Sequence, residues 1–271
     1  MITYPIAKIN IGLLVTEKRA DGFHNLETIF YPIQMQDVLE VVEADEFKFS
    51  MSGLDLDGDP KDNLVVKAYN LIKNDYQIPA VQIHLHKNIP SGAGLGGGSS
   101  DAAYMLLALN DFFNLKISEE KLMDYALRLG SDCPFFLKAK PVFATGRGEI
   151  MQDVPVELKE YYLILVKPPV HVSTALAYQN IVPQKPRLSL KGLVGFAVSK
   201  WKGNILNHFE KYVFQEYPEV ADIKKILYDQ GAAFALMSGS GSAVYGLFRS
   251  EKRGIENYFP KDYQVFRQRL S

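Results

Sequence analysis

The residues best suited to chemistry stand together in one stretch: Pro90, Ser91, Gly92, Ala93, Gly94, Leu95, Gly96, Gly97, Gly98, Ser99 and Ser100. Glycines permit positive φ and leave no side chain to block a close approach to the backbone. Consecutive N–H groups can then converge on an anion. A helix opening at the loop's end adds unpaired N–H groups and the positive end of its dipole. Ser99 and Ser100 offer hydroxyls to a phosphate or to Mg²⁺. The chemistry implied is the holding of a nucleotide's phosphates. A Gly/Ser linker needs neither a strand before it nor an apolar helix after it, and here both are expected. Gly92, Gly94 and Gly97 also match G-x-G-x-x-G, but a dinucleotide fold requires a second strand ending in an acid, where this chain continues with another helix. No Gly-Lys-Ser/Thr follows the glycines. His-Arg-Asp and Asp-Phe-Gly, the marks of a protein kinase, are missing from the sequence.

The elements that must position this loop follow from periodicity. Residues 6–15 and 38–51 read as strands, and 55–62 as an Asp/Gly-rich loop. Leu64, Ala68, Leu71 and Ile72 share one helical face, so 63–75 is expected to be a helix. Val81, Ile83 and Leu85 alternate with Gln82, His84 and His86, which predicts a half-buried strand over 80–89. His84 and His86 read as its solvated face rather than a metal site. An apolar helix is expected over 101–113. Ser118 caps the next helix, with Glu119 and Glu120 in its first turn, and Gly130 ends it. Ser131-Asp132-Cys133-Pro134 reads as a further helix start. Residues 141–151 and 161–167 read as strands. Helices are expected near 173–180, 188–200, 204–214 and 220–230. A strand, a Gly/Ser turn at 238–242, a strand at 243–248 and a final helix and strand close the chain. The order is α+β rather than regular βαβ. Division at 155/156 gives two domains, 1–155 and 156–271, and the 167–169 junction is a second candidate boundary.

Bulk properties exclude several classes. The chain has 271 residues, 47% hydrophobic and 23% charged, with formal net charge −1. That is a globular composition with no electrostatic footprint for nucleic acid. No apolar run approaches the roughly 20 residues that span a bilayer. Lys8 interrupts any h-region, so no secretory leader is expected. The single cysteine, Cys133, forbids an intramolecular disulfide and reads as packing. A cytoplasmic enzyme fits all of this.

Three segments together resemble the GHMP kinase superfamily: Pro5-Ile6-Ala7-Lys8-Ile9-Asn10, the glycine loop, and Met237-Ser238-Gly239-Ser240-Gly241-Ser242-Ala243. Arg19-Ala20-Asp21-Gly22-Phe23-His24-Asn25-Leu26 and Gly130-Ser131-Asp132-Cys133-Pro134-Phe135-Phe136 are similar to its cytidyl-substrate branch. The resemblance implies a two-domain fold, with a ribosomal protein S5 domain 2-like N-terminal domain and a ferredoxin-like C-terminal domain. It implies phosphorylation by ATP of the 2-hydroxyl of 4-diphosphocytidyl-2-C-methyl-D-erythritol, in non-mevalonate isoprenoid biosynthesis. Mg²⁺ is expected with ATP, through Ser99 or Ser100. No nucleic acid, membrane or protein partner is implied. Homoserine, mevalonate and sugar kinases, and a non-catalytic metabolite sensor, are the competing readings.

The resemblance also implies roles. Lys8 and Asp132 match the catalytic pair, with Asp132 either taking the alcohol's proton or orienting the hydroxyl. Asn63 and Lys87 match residues lining the adenine site. Phe23 and His24 match the cytosine site, with Phe23 standing where Tyr is common. Asn10 and Thr174 match polar substrate contacts. Tyr178 is either a second substrate aromatic or a core residue. Ser238, Gly239, Ser240 and Gly241 match the turn that closes on phosphates and substrate. Asp101 occupies a position where related sequences often carry Asn.

Overall fold

A computed structural model describes residues 1–54 and 59–270. Residues 55–58 of the expected 55–62 loop lie outside the described residues, and Pro60–Asp62 is a single 3-10 turn. The chain divides into two compact units that are interleaved in sequence. The first is Met1–Lys8, Gln34–Ser91 and Gly96–Ala139, and the second is Ile9–Ile33, Gly92–Leu95 and Lys140–Ser271. Neither 155/156 nor 167–169 separates these units, because Lys140–Ser271 lies wholly in the second.

The first unit is built on the sheet β1-β4-β6-β5, from β1 (Ile2–Thr3), β4 (Val38–Glu43), β5 (Lys48–Gly53) and β6 (Val81–Lys87). Residues 38–51 are therefore two strands, not the single strand expected. The charged run Glu43-Ala44-Asp45-Glu46 breaks it, and β5 then pairs parallel with β6 while β4 pairs antiparallel. The alternation in β6 holds: Val81, Ile83 and Leu85 are buried against α1 (Leu64–Tyr76), α2 (Gly97–Phe112) and α3 (Glu119–Leu129). Asn63 and Ser118 cap α1 and α3 through side-chain oxygens. Helix α2 opens at Gly97 rather than 101, so Gly97, Gly98, Ser99 and Ser100 form its first turn. The one-turn α4 (Cys133–Phe136) follows, with Asp132 before it.

The second unit carries most of the sheet β2-β3-β7-β8, where β2 is Ile6–Lys18 and β3 is His24–Gln36. The sequence reading missed β3, whose consecutive Phe30-Tyr31-Pro32-Ile33 obscures the two-residue period. The stretch 141–151 is a hairpin, β7 (Val142–Thr145) and β8 (Ile150–Asp153), because Gly146 and Gly148 turn the chain between them. A further sheet has the order β10-β11-β9-β12, from β9 (Tyr162–Lys167), β10 (Phe234–Met237), β11 (Val244–Phe248) and β12 (Gln264–Arg269). Its apolar face packs on α7 (Glu210–Glu216) and α8 (Pro218–Asp229). Helix α5 spans Thr174–Gln179 behind its Ser173 cap. The helix expected over 188–200 shrinks to α6 (Leu190–Leu193) and a 3-10 turn, because Gly192 and Gly195 lower helix stability there. The helix expected from 204 begins only at Glu210, and the last expected helix is a 3-10 turn, Ile255–Tyr258.

Candidate active site

In the first unit, Gly96 leads the chain into the start of α2. Gly96 takes φ +72°, and a methyl group there would lie 2.8 Å from the Phe136 ring and 3.2 Å from Lys8 Cε. Lys8 thus lies directly against the end of the loop. The first N–H groups of α2 have no acceptor within the helix, as at any helix start, and Gly98 is exposed there. Ser100 is fully buried, and its hydroxyl has no hydrogen-bond partner. Ser99 hydrogen-bonds the buried Cys133 thiol, which burial pushes up to about 12. That excludes Cys133 as a thiolate nucleophile.

Lys8 is 3% exposed, and its Nζ lies 3.5 Å from Asp132 Oδ2. Burial lowers the Lys8 pKa, and the Asp132 charge opposes the shift. An ammonium withdrawn this far from water costs several kcal/mol unless it is compensated. Asp132 retains 33% side-chain exposure and makes no capping bond to α4. One carboxylate oxygen sits near a cation while the group still faces outward. This arrangement suits accepting a hydrogen bond from an alcohol.

Two expected nucleotide contacts have other work. Lys87 is closed between Asp37 and Asp101, with all three buried, so its ammonium is not presented to a ligand. Burial pushes Asp101 up to about 8 against the opposing Lys87 charge. Asn63 spends its Oδ1 on the Val65 N–H, 2.9 Å away, and its Nδ2 meets Met51 Sδ. His84 likewise meets Ser50 and Ser52 hydroxyls through both ring nitrogens.

In the second unit, the β10–β11 turn joins the other two motifs. Ser238 is fully buried; its hydroxyl donates to Gly94 O (2.8 Å) and accepts from the Asn10 N–H (3.1 Å). The Ser238 hydroxyl, expected to contact substrate, thus ties the turn to the glycine loop and to β2. Asn10 Nδ2 donates to Thr28, and the Tyr245 hydroxyl donates to Asn10 O. Asn207 Nδ2 holds the turn through Met237 O and Gly239 O, both at 2.8 Å. The sequence reading missed Asn207; no motif marks it. Ser240 Oγ meets Thr174 Oγ1 at 2.8 Å. His24 stacks on Tyr178 with ring centroids 5.1 Å apart, and Tyr178 in turn meets Phe209 edge-on. Tyr178 is therefore both packed on the core and part of an aromatic stack. Phe23 is 53% exposed, with the Arg147 guanidinium 4.7 Å from its ring centroid. Arg147, on the β7–β8 turn, was also missed.

The pattern of the family described as GHMP kinases N terminal domain matches residues 63–140, and that of GHMP kinases C terminal matches 198–264. The chain belongs to the GHMP kinase family. It is a small-molecule kinase that uses ATP. Curated relatives named 4-diphosphocytidyl-2-C-methyl-D-erythritol kinase include one from Bacteroides fragilis, 54% identical over 93% of this chain and 94% of its own. Another, from Bacteroides thetaiotaomicron, is 50% identical over all of both chains. A crystal structure of 4-(cytidine 5'-diphospho)-2C-methyl-D-erythritol kinase superposes with TM-score 0.78 at 33% identity, covering 91% of this chain and 90% of that one. A homoserine kinase from Cytophaga hutchinsonii, at TM-score 0.70 and 19% identity, shares the fold.

Proposed function

We propose that this kinase moves the γ-phosphoryl group of ATP to the 2-hydroxyl of 4-diphosphocytidyl-2-C-methyl-D-erythritol, giving the 2-phosphate and ADP in non-mevalonate isoprenoid precursor synthesis. The observation that carries the chemistry is the buried Lys8 against the loop end at Gly96, paired with a half-open Asp132. The relatives' names support the choice of alcohol.

In this reading the amides of the 90–100 loop and of the first turn of α2 hold the phosphates. Asp132 accepts the hydrogen bond of the 2-hydroxyl and aims its oxygen at the γ-phosphorus. Lys8 stabilises negative charge as the bond from oxygen to phosphorus forms and the bond to the ADP oxygen breaks. The alcohol's proton passes to the Asp132 carboxylate and then to water. A loose transition state demands this proton transfer only late, so orientation by Asp132 comes first. Phe23 and His24 receive the cytosine, and Thr174, Ser240 and the turn amides contact the rest of the alcohol.

Among the described residues no group of three or more His, Cys, Asp or Glu side chains could hold a metal. Of the two expected serines, Ser99 is partly exposed and would offer its hydroxyl to a magnesium ion carried in by the nucleotide, while the Ser100 hydroxyl is fully buried. When bound, that ion neutralises phosphate charge. The halves 1–155 and 156–271 each contain one of the two family matches, which supports them as the N- and C-terminal kinase domains. No helix among the described residues is long and apolar enough to cross a membrane, and we place the enzyme in the cytoplasm with its nucleotide.

Product analysis by ³¹P NMR tests the reading. A new phosphomonoester on the tertiary carbon of the cytidyl alcohol is expected. Phosphorylation of homoserine or mevalonate instead would overturn the substrate; binding of ATP and alcohol without turnover would overturn the activity.

A further inference from the structure

We infer that Asp37, Lys87 and Asp101 form a clamp that positions the two stems of the glycine loop for the nucleotide's phosphates; the inference rests on the reading that this loop holds them. Asp37, fully buried between β3 and β4, fixes the entering stem. Its Oδ1 accepts the N–H groups of Asn88 (2.6 Å) and Ile89 (2.8 Å), and its own N–H donates to Pro5 O. Its Oδ2 takes the Lys87 ammonium. Lys87 then reaches under the loop's far end: a methyl group on Gly97 would lie 3.3 Å from its Nζ and 2.8 Å from Ile89 Cγ2. Its second bond, 2.7 Å, ends on Asp101 Oδ2, one turn into α2. Asp37 is thus joined directly to the residues before the loop, and through Lys87 to the helix after it.

Stability does not account for this arrangement. Three buried ionisable groups cost desolvation, and apolar residues of similar volume are often neutral or stabilising in their place. One ammonium here serves two carboxyl groups, and Asp101 Oδ1 is buried with no hydrogen-bond partner. What the polar groups supply is direction, since each hydrogen bond fixes one point of the loop's frame. The glycines between the stems have little stiffness of their own. The separation of Ile89 and Asp101 therefore decides whether their amides converge.

The decisive variant combines Asp37→Asn, Lys87→Met and Asp101→Leu, and is compared with the wild type by circular dichroism, thermal unfolding and steady-state kinetics. A folded variant is expected, with KM for ATP raised about tenfold or more and KM for the acceptor alcohol changed by less than about twofold. A folded variant with KM for ATP within about twofold of wild type would overturn the clamp. If the triple variant does not fold, Asp101→Asn and Asp101→Leu decide. The amide keeps an acceptor for Lys87, so its KM for ATP is expected to be several-fold below that of the leucine variant, and equal values would overturn the proposal. Hydrogen exchange of the loop amides with a non-hydrolysable ATP analogue separates the two readings. Protection of residues 92–100 is expected. Absent protection overturns the phosphate reading and the clamp together, whereas protection with unchanged KM values overturns the clamp alone.

Discussion

Gly94→Ala perturbs the loop at a point where the structure sets the size of the effect. Gly94 has φ +75°, and the new methyl group would lie 2.0 Å from the Ser238 carbonyl oxygen. Ordinary contact begins at 3.4 Å, so backbone must move by about 1.4 Å, and the obstacle is no flexible side-chain tip. The left-handed conformation adds about 1–2 kcal/mol for a residue with a Cβ. The same movement stretches the Ser238 hydroxyl bond to Gly94 O, which also leaves the Asn10 N–H less well held. A misplacement of about 1 Å can cost a factor of about 100 in rate, which is about 2.7 kcal/mol of transition-state stabilisation. The expected result is a folded protein with a lower melting temperature and kcat/KM for ATP reduced about 100-fold. Gly98→Ala supplies the contrast. There the methyl group meets only Leu64 Cδ1, at 3.9 Å, and alanine favours the helix, so thermal stability should hold or rise. Thermal unfolding of both ligand-free variants, followed by ATP kinetics, reads the comparison. Equal melting temperatures for the two variants, or wild-type kinetics for Gly94→Ala, would refute the reasoning.

Three further outcomes are expected. Asp132→Ala should lower kcat by about 10²–10⁴-fold while ATP affinity measured by calorimetry changes little, and near-normal turnover would remove Asp132 from the chemistry. Phe23→Ala should raise KM for the cytidyl alcohol more than it lowers kcat, since loss of a stacked base costs about 1–3 kcal/mol of largely uniform binding; an unchanged KM counts against stacking. Burial lowers the Lys8 pKa, so its ammonium is lost at a lower pH than that of an ordinary lysine. The rate should therefore fall as pH rises through a range below the usual lysine value, a limb that Lys8→Arg should abolish if the variant turns over. A profile that stays flat up to the ordinary lysine range would exclude this role.

The glycine loop, the strand before it and the helix after it were legible because each has a local cause: glycine freedom, two-residue alternation and an apolar helical face. Caps such as Asn63 and Ser118 were legible for the same reason. The ion pairs of Lys87 were not legible, because Asp37 and Asp101 are brought to it only by tertiary packing. The partners of Ser238 were hidden similarly: its hydroxyl is engaged by Asn10, 228 residues away, and by Gly94. Asn207 carries no local signal at all, since both carbonyls it holds lie about thirty residues later. Strand β3 escaped because the sheet pairs it with β2 and β7, which supplies hydrogen bonds its own pattern does not announce.

The positions of the reacting atoms decide the chemistry. A crystal structure with a non-hydrolysable ATP analogue and the cytidyl alcohol measures this directly. The terminal phosphate is expected over the first turn of α2, with the 2-hydroxyl oxygen about 2.6–3.2 Å from an Asp132 carboxylate oxygen and the Lys8 ammonium beside it. A 2-hydroxyl beyond reach of Asp132, or phosphates bound away from the loop, would contradict the proposed chemistry.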